Sequence, residues 1–280
     1  MLECVANVSE GRGAIVLDAL AGACGAALLD RHVDPDHHRS VFTLAGPGPD
    51  DAASAVRRLA DAVASAVDLR GHSGVHPRLG ALDVVPFVAL DGDVSRALHA
   101  ARDFATWWAE YGVPIFFYDL ADTEDRPLPS VRRDAFAGHV PDLGPSAPHP
   151  ALGATAVGVR PPMVAVNCVL RDDDLALAHR IAARVRESSG GMRGVRALGF
   201  ALASQVRAQV SMNLVDLDAT GLEAACTEVR AAARENGNDI VAVELVGLVP
   251  AVELARCSDA FRAWARIDDS VTIEARLSRR

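Results

Sequence analysis

Residues 163–247 run through a series of elements that few folds can accommodate. The apolar run "MVAVNCVL" (163–170) predicts a strand, and 173–188 has the apolar spacing of a helix. Two more strands, 194–203 and 206–217, are joined by a short turn, and a helical pattern over 219–236 leads to a strand over 240–247. The order β-α-β-β-α-β predicts a ferredoxin-like split βαβ unit, whose sheet carries both helices on one face. The other face then needs a cover, and the first half of the chain is the natural candidate.

That first half alternates in the same way. "ECVANV" (3–8), "AALLDR" (26–31), "SVFTLAG" (40–46), "LDVVPFVAL" (82–90) and "VPIFFYDL" (113–120) predict strands, while 50–68 and 94–111 show helical spacing. From 137 to 162 the periodicity fails among prolines and glycines. A structureless stretch of that length is usually functional or a linker. The expected architecture is therefore α/β (α+β), with subdomains 1–160 and 161–280 and a boundary near 159–162. Their mixed sheets are expected to face each other, with the helices outside.

Charge and composition exclude several functions. A net charge of -9 argues against general nucleic-acid binding, which needs a basic surface. All 28 basic residues are arginine, so Schiff-base chemistry, pyridoxal phosphate attachment and a P-loop lysine are ruled out. Cys4, Cys24, Cys168, Cys226 and Cys257 form no CxxC pair and read as reduced core residues. The opening residues lack the apolar core of a signal peptide, and no apolar run approaches a membrane span, so a cytoplasmic location is expected.

Three polar clusters could carry chemistry. In "LLDRHVDPDHHRSV" (28–41), Asp30, His32, Asp34, Asp36, His37, His38 and Arg39 gather between two strands. They could form a polar turn begun by Asp-Pro, or a Zn or Mn site of imidazoles and carboxylates. The second cluster is "GHSGVHPRLGALDVVPF" (71–87). Its His72 and His76 would share a helix face, but Gly71, Gly74 and Pro77 argue against a helix. His76 is followed by Pro77, which stiffens the backbone, and by Arg78, a planar donor suited to a carboxylate. A histidine there can take a proton from an attacking amine and return it to a leaving one. The third cluster is the loop "PDLGPSAPHPALG" (141–153), whose glycines permit close approach and whose Ser146 and His149 offer polar side chains.

Taken together, "ECVANVSEGR" (3–12), "LLDRHVDPDHHRSVFTLAG" (28–46), "HSGVHPRLGALDVVPF" (72–87), "PDLGP" (141–145), "GATAVGVR" (153–160), "AVNCVL" (165–170), "AQVSMNLVD" (208–216) and "ELVGLVP" (244–250) resemble the formiminotransferase family, in collinear order from about residue 2 to 250. The resemblance implies two α/β subdomains with tetrahydrofolate between their sheets, in a homodimer. It also implies transfer of the formimino group of N-formimino-L-glutamate to N5 of tetrahydrofolate, a step of histidine degradation and one-carbon metabolism, with no metal.

By that resemblance the catalytic histidine of the HPR triplet falls on His76. The folate loop falls on Gly144, Pro145, Ser146, Ala147, Pro148, His149, Pro150, Ala151, Leu152 and Gly153. Asn7, His32, Arg39, His72 and Arg78 are the substrate-binding candidates, the two arginines on charge and proximity. A cyclodeaminase domain is often fused to this family; none is expected here, which leaves a monofunctional enzyme and a separate cyclodeaminase as a candidate partner. Val75 stands where the mammalian bifunctional enzymes have glutamate, which bears on the donor. A transferase using 5-formyltetrahydrofolate and glutamate is the alternative within the family. A metal-dependent phosphohydrolase built on His32, Asp34, Asp36, His37 and His38 is the alternative of another class.

Overall fold

The computed structural model describes residues 1–46 and 51–279, in two compact units, Met1–Pro161 and Pro162–Arg280. The first unit contains β1 (Leu2–Val8), α1 (Ala14–Cys24), β2 (Leu28–Asp34), β3 (Arg39–Ala45), α2 (Asp51–Ala66), β4 (Leu82–Ala89), α3 (Val94–Ala109), β5 (Ile115–Asp119), α4 (Leu128–Asp134) and β6 (Thr155–Val159). Its sheet has the order β2-β3-β1-β4-β6-β5. The strands from β2 to β4 pair antiparallel, whereas β6 runs parallel to both β4 and β5.

Alternation sets the two faces of this sheet. Leu2, Cys4, Ala6 and Val8 of β1 join Phe42 and Leu44 of β3 and Leu82, Val85 and Phe87 of β4 in one core with α1, α2 and α3. Helix α2 fits that face because Ala52, Ala55, Val56, Leu59, Ala60 and Val63 recur at helical spacing. Helix α3 is capped by the Asp93 side chain and buries Phe104 and Trp108. The opposite face is covered at one end by α4, where Val131 packs with Val84, Phe116, Tyr118, Ala154 and Ala156.

One irregularity in the pairing of β1 with β4 shapes everything described below. Asn7 lies opposite Val84, but Val8 lies opposite Leu82, so the register shifts and Asp83 is the extra residue. Leu82 and Val85 belong to the core under α2 and α3. Val84 packs with Val131 of α4, and Asp83 bonds Arg132 of the same helix. Two consecutive side chains thus serve one face, which strict alternation forbids.

In the second unit β7 (Val164–Leu170), α5 (Leu175–Val185), β8 (Val195–Leu202), β9 (Arg207–Leu214), α6 (Leu222–Glu235) and β10 (Ile240–Leu245) follow the expected β-α-β-β-α-β order. The sheet order is β10-β7-β9-β8, antiparallel throughout. Val164, Val166, Cys168 and Leu170 alternate toward α5 and α6, as do Ala208, Val210, Met212 and Leu214. Short helices α7 (Ala251–Ala255), α8 (Asp259–Ala265) and α9 (Ile273–Ser278) complete the unit. Among the described residues no helix is long and apolar enough to cross a membrane. All five cysteines are free and buried.

Several expectations need correction. The strand expected over 26–31 is Leu28–Asp34, so His32 and Asp34 sit on the strand and the turn is confined to 35–38. Strand β6 lies inside the stretch expected to have no element, because all five of its residues are buried and a strand covered on both faces loses its alternation. Gly158 belongs there because a Cβ would collide with the Tyr118 ring. Helices α1, α4 and α7 to α9 were not expected from the periodicity. The helix expected over 50–68 is Asp51–Ala66, with residue 50 outside the described residues.

Trp108 is fully buried, and its indole donates to Thr155 Oγ1 at 2.9 Å, tying α3 to β6. Replacing Trp108 with alanine should destabilise the protein by about 3–5 kcal/mol, chiefly through the cavity, since the Thr155 hydroxyl keeps its bond to the Leu82 carbonyl. Urea denaturation monitored by circular dichroism checks this, and a loss under about 1 kcal/mol would contradict it.

Candidate active site

The bulge delivers a fully buried carboxylate to the face away from α1 to α3. Asp83 Oδ1 accepts from the backbone N–H groups of Leu79 at 2.6 Å and Gly80 at 3.4 Å. Its Oδ2 accepts from Arg39 Nη1 at 2.6 Å and from Arg132 Nη2 of α4. Burial alone would raise the Asp83 pKa, but the Arg132 and Arg39 guanidiniums outweigh it and hold the group well below the usual carboxylate range. Arg39 is fixed further by Asn7, whose Oδ1 accepts from Nε at 3.2 Å and Nη2 at 2.9 Å. One carboxylate therefore organises two guanidiniums, and the cluster keeps an excess of positive charge.

His76 sits beside this cluster. Its Nδ1 lies 2.7 Å from the Pro77 carbonyl oxygen, an acceptor, which assigns the proton to Nδ1 and the ring lone pair to Nε2. The same carbonyl accepts from Arg132 Nη1 at 2.9 Å, so imidazole and guanidinium are neighbours. Burial, then Arg39 and Arg132, push the His76 pKa down to about 3. The imidazole is neutral across the physiological range.

The loop carrying His76 is pinned from two sides. Arg78 Nη2 donates to the carbonyls of Gly74 at 2.7 Å and His76 at 3.3 Å, so this guanidinium braces its own loop. A Cβ on Gly74 would lie 2.5 Å from the His37 carbonyl oxygen, and only glycine allows the loop to approach the 35–38 turn so closely.

That turn supplies a second layer of histidines. His37 is buried, donates its backbone N–H to Asp34 Oδ1 at 2.8 Å, and places Nδ1 2.9 Å from Asp34 Oδ2. Its ring meets His76 edge-on, with centroids 5.7 Å apart. His38 stacks on His72 with centroids 3.9 Å apart and planes 9° from parallel. His38 also reaches the Ser73 carbonyl at 2.9 Å and Glu10 Oε1 at 3.3 Å. Glu10 in turn accepts from the backbone N–H groups of Arg12 and Gly13 at the start of α1.

Burial lowers the pKa of His72, and His38 and Arg78 add to the effect. His72 Nδ1 is buried without a hydrogen-bond partner among the described residues. His32, on β2 opposite Val41, is also held low, first by burial. Among the described residues no three His, Cys, Asp or Glu side chains converge as metal ligands. In the cluster weighed as a polar turn or a Zn or Mn site, His37 faces Asp34, while His38 turns toward Glu10 and His72.

The loop from Gly144 to Gly153 belongs to the same unit. His149 and Gly153 exchange backbone hydrogen bonds at 2.8 Å, closing the loop on itself. His149 Nδ1 accepts from the backbone N–H groups of Ala151 at 3.2 Å and Leu152 at 3.0 Å, so this nitrogen shapes the loop. Gly144 to Pro148 and Pro150 are exposed, while Leu152 and Gly153 are buried beside Leu79 and Ala81.

Of the residues singled out from sequence, the structure brings Asn7, Arg39 and His76 into one network and sets His72 behind it. Arg78 serves the loop, and His32 lies farther along the strand. Asp83, Arg132 and Glu10 were given no site role from sequence, and Asp34 was considered only as a metal ligand. Asp83 stood in the quoted stretch with no signal that β4 would bulge, and Arg132 lies on a helix too short to show a period.

Replacing Asp83 with asparagine leaves two largely buried guanidiniums without their counter-charge, and should destabilise the unit by about 3–5 kcal/mol at neutral pH. Because the folded pKa of Asp83 is depressed, the wild type's advantage is present above the unfolded carboxylate value and shrinks as the solution is acidified through the folded one. Urea titrations of both proteins at neutral and acid pH measure the gap; one that failed to narrow in acid would contradict the assignment.

Comparison with known proteins matches the two halves to related family models. "Formiminotransferase domain, N-terminal subdomain" covers residues 1–160 and "Formiminotransferase domain" covers 165–274. The chain is 36% identical to a glutamate formimidoyltransferase of Streptococcus pyogenes over 96% of this chain and 94% of that one. It is 32% identical to the glutamate formimidoyltransferase of Thermoplasma acidophilum over 100% and 98% of the two chains. To the formimidoyltransferase-cyclodeaminase of Sus scrofa it is 37% identical over 89% of this chain and 50% of the relative, so the chain spans about half the length of that protein.

Proposed function

Because the chain belongs to the formiminotransferase family, we propose that it is a transferase that moves the formimino group of N-formimino-L-glutamate to N5 of tetrahydrofolate. The observation that carries this reading is His76, a neutral imidazole with its lone pair on Nε2, seated beside two guanidiniums that can receive a carboxylated substrate.

In this reading His76 accepts the N5 proton as that nitrogen bonds to the amidine carbon. The tetrahedral intermediate then expels the glutamate nitrogen, which takes the proton back from His76 as its bond to carbon breaks. No net proton is consumed, and one histidine suffices as base and then acid. Bringing two bound substrates together supplies much of the remaining acceleration. The exposed segment of the 144–153 loop is the candidate folate cradle, shaped from beneath by His149. A 5-formyltetrahydrofolate and glutamate pair would use the same base, and parallel assays with the two donors separate the readings.

Formation of 5-formiminotetrahydrofolate tests the proposal. His76→Ala should lower turnover roughly 10²–10⁴-fold with much less effect on folate affinity. His72→Ala should cost less in rate and more in stability. Near-normal turnover in the His76 variant would mean that the base is another residue.

The low pKa of His76 also sets a pH signature. The imidazole stays unprotonated as pH falls from 7 to about 5, so kcat/KM should show no loss from this group over that range. An acid limb near the ordinary histidine value that disappears in the His76 variant would contradict the assignment.

A further inference from the structure

Resting on that reading, we infer that Arg132 of α4, acting with Arg39, binds a carboxylate of the amino-acid donor, and that Asp83 is the positioning residue that aims both guanidiniums. The first argument is charge balance. Asp83 is a single carboxylate fully used by two backbone N–H groups and two guanidiniums. Arg39 and Arg132 are both largely buried, with side chains 11% and 16% exposed. Two cations around one anion in a poorly solvated place leave positive charge to be met, and an arriving carboxylate meets it.

Donor geometry points the same way. Arg132 spends one N–H of Nη1 on the Pro77 carbonyl and one of Nη2 on Asp83. Its Nε–H and its other N–H groups have no hydrogen-bond partner among the described residues, so an edge of the planar fork is available for a two-point contact. Arg39 is more committed, with Nε and Nη2 on Asn7 and Nη1 on Asp83. The division follows: Arg39 anchors and adds charge, while Arg132 offers the open fork.

Placement supplies the third argument. Arg132 and His76 share the Pro77 carbonyl, so a carboxylate on Arg132 lies next to the imidazole that must reach the amine end of the same molecule. The donor joins its carboxylates to the reacting nitrogen through a short carbon chain, which suits a base and a carboxylate site side by side. Arg78 fits the role less well because its Nη2 braces the Gly74 and His76 carbonyls.

The test uses Arg132→Gln and Arg132→Lys in the intact chain. The lysine variant keeps the charge and a donor for folding while losing the planar fork. L-glutamate binding by calorimetry and the two Michaelis constants are measured, with a thermal melt for each protein. The inference expects L-glutamate affinity to fall and the donor KM to rise roughly 10- to 100-fold in the glutamine variant, with a smaller change in the lysine variant. The tetrahydrofolate KM should stay within about twofold of wild type.

A wild type that binds no L-glutamate, or variants that bind it as the wild type does, would overturn the inference. So would equal changes in both Michaelis constants, the mark of a merely structural role. If the glutamine variant does not fold, the lysine variant decides by the same criteria. A wild type that binds L-glutamate through Arg132 but transfers neither group would overturn the proposed function and leave this inference standing.

Discussion

A buried carboxylate on a β-bulge is the interaction on which the candidate site depends. Asp83 reaches the far face of its sheet because β4 carries one residue more than β1 between Leu82 and Val84. From there it bonds one guanidinium from β3 and another from α4, and its remaining oxygen holds the backbone at Leu79 and Gly80, where the His76 loop returns to the sheet. Sheet, outer helix and loop converge on this one side chain. Without it the two arginines would repel each other, and the segment after Arg78 would lose its anchor.

Electrostatics follows from that arrangement. A histidine in water titrates near neutrality and spends part of its time protonated. Here burial and the two guanidiniums that Asp83 holds keep His76 unprotonated, while the Pro77 carbonyl assigns its tautomer. The guanidiniums gathered by Asp83 are therefore the ones that keep the neighbouring imidazole unprotonated. The second layer, with Asp34 on His37, Glu10 on His38 and His38 stacked on His72, braces the turn and loop behind the His76 ring.

Legibility from sequence differed between the halves for a physical reason. The second unit was readable because β7 and β9 are short strands bounded by turn residues, with alternate side chains meeting α5 and α6, and because those helices are long enough to show their period. In the first unit β6 is buried on both sides and shows no alternation, so it was lost among the prolines and glycines around it. Helix α4 spans under two turns, and α1 is apolar almost throughout, so neither shows a stripe. His76 was singled out through its motif, Arg39 by its charge and proximity to the clusters, and Asn7 through the family resemblance. Arg132 had neither a period nor a motif to mark it.

The sequence alone determined the β-α-β-β-α-β order of residues 163–247, the arginine-only basic set, the absence of lysine chemistry and the histidine suited to acid–base work, because each resides in residue identity or in short spacing. The tertiary structure alone decided which charges surround that histidine. Arg39 and Arg132 meet Asp83 across 44 and 49 positions of chain, and a register shift turns the carboxylate toward them. Contacts of that range leave no periodic trace in the sequence, since they arise from strands and a helix packing in space and not from neighbours along the chain.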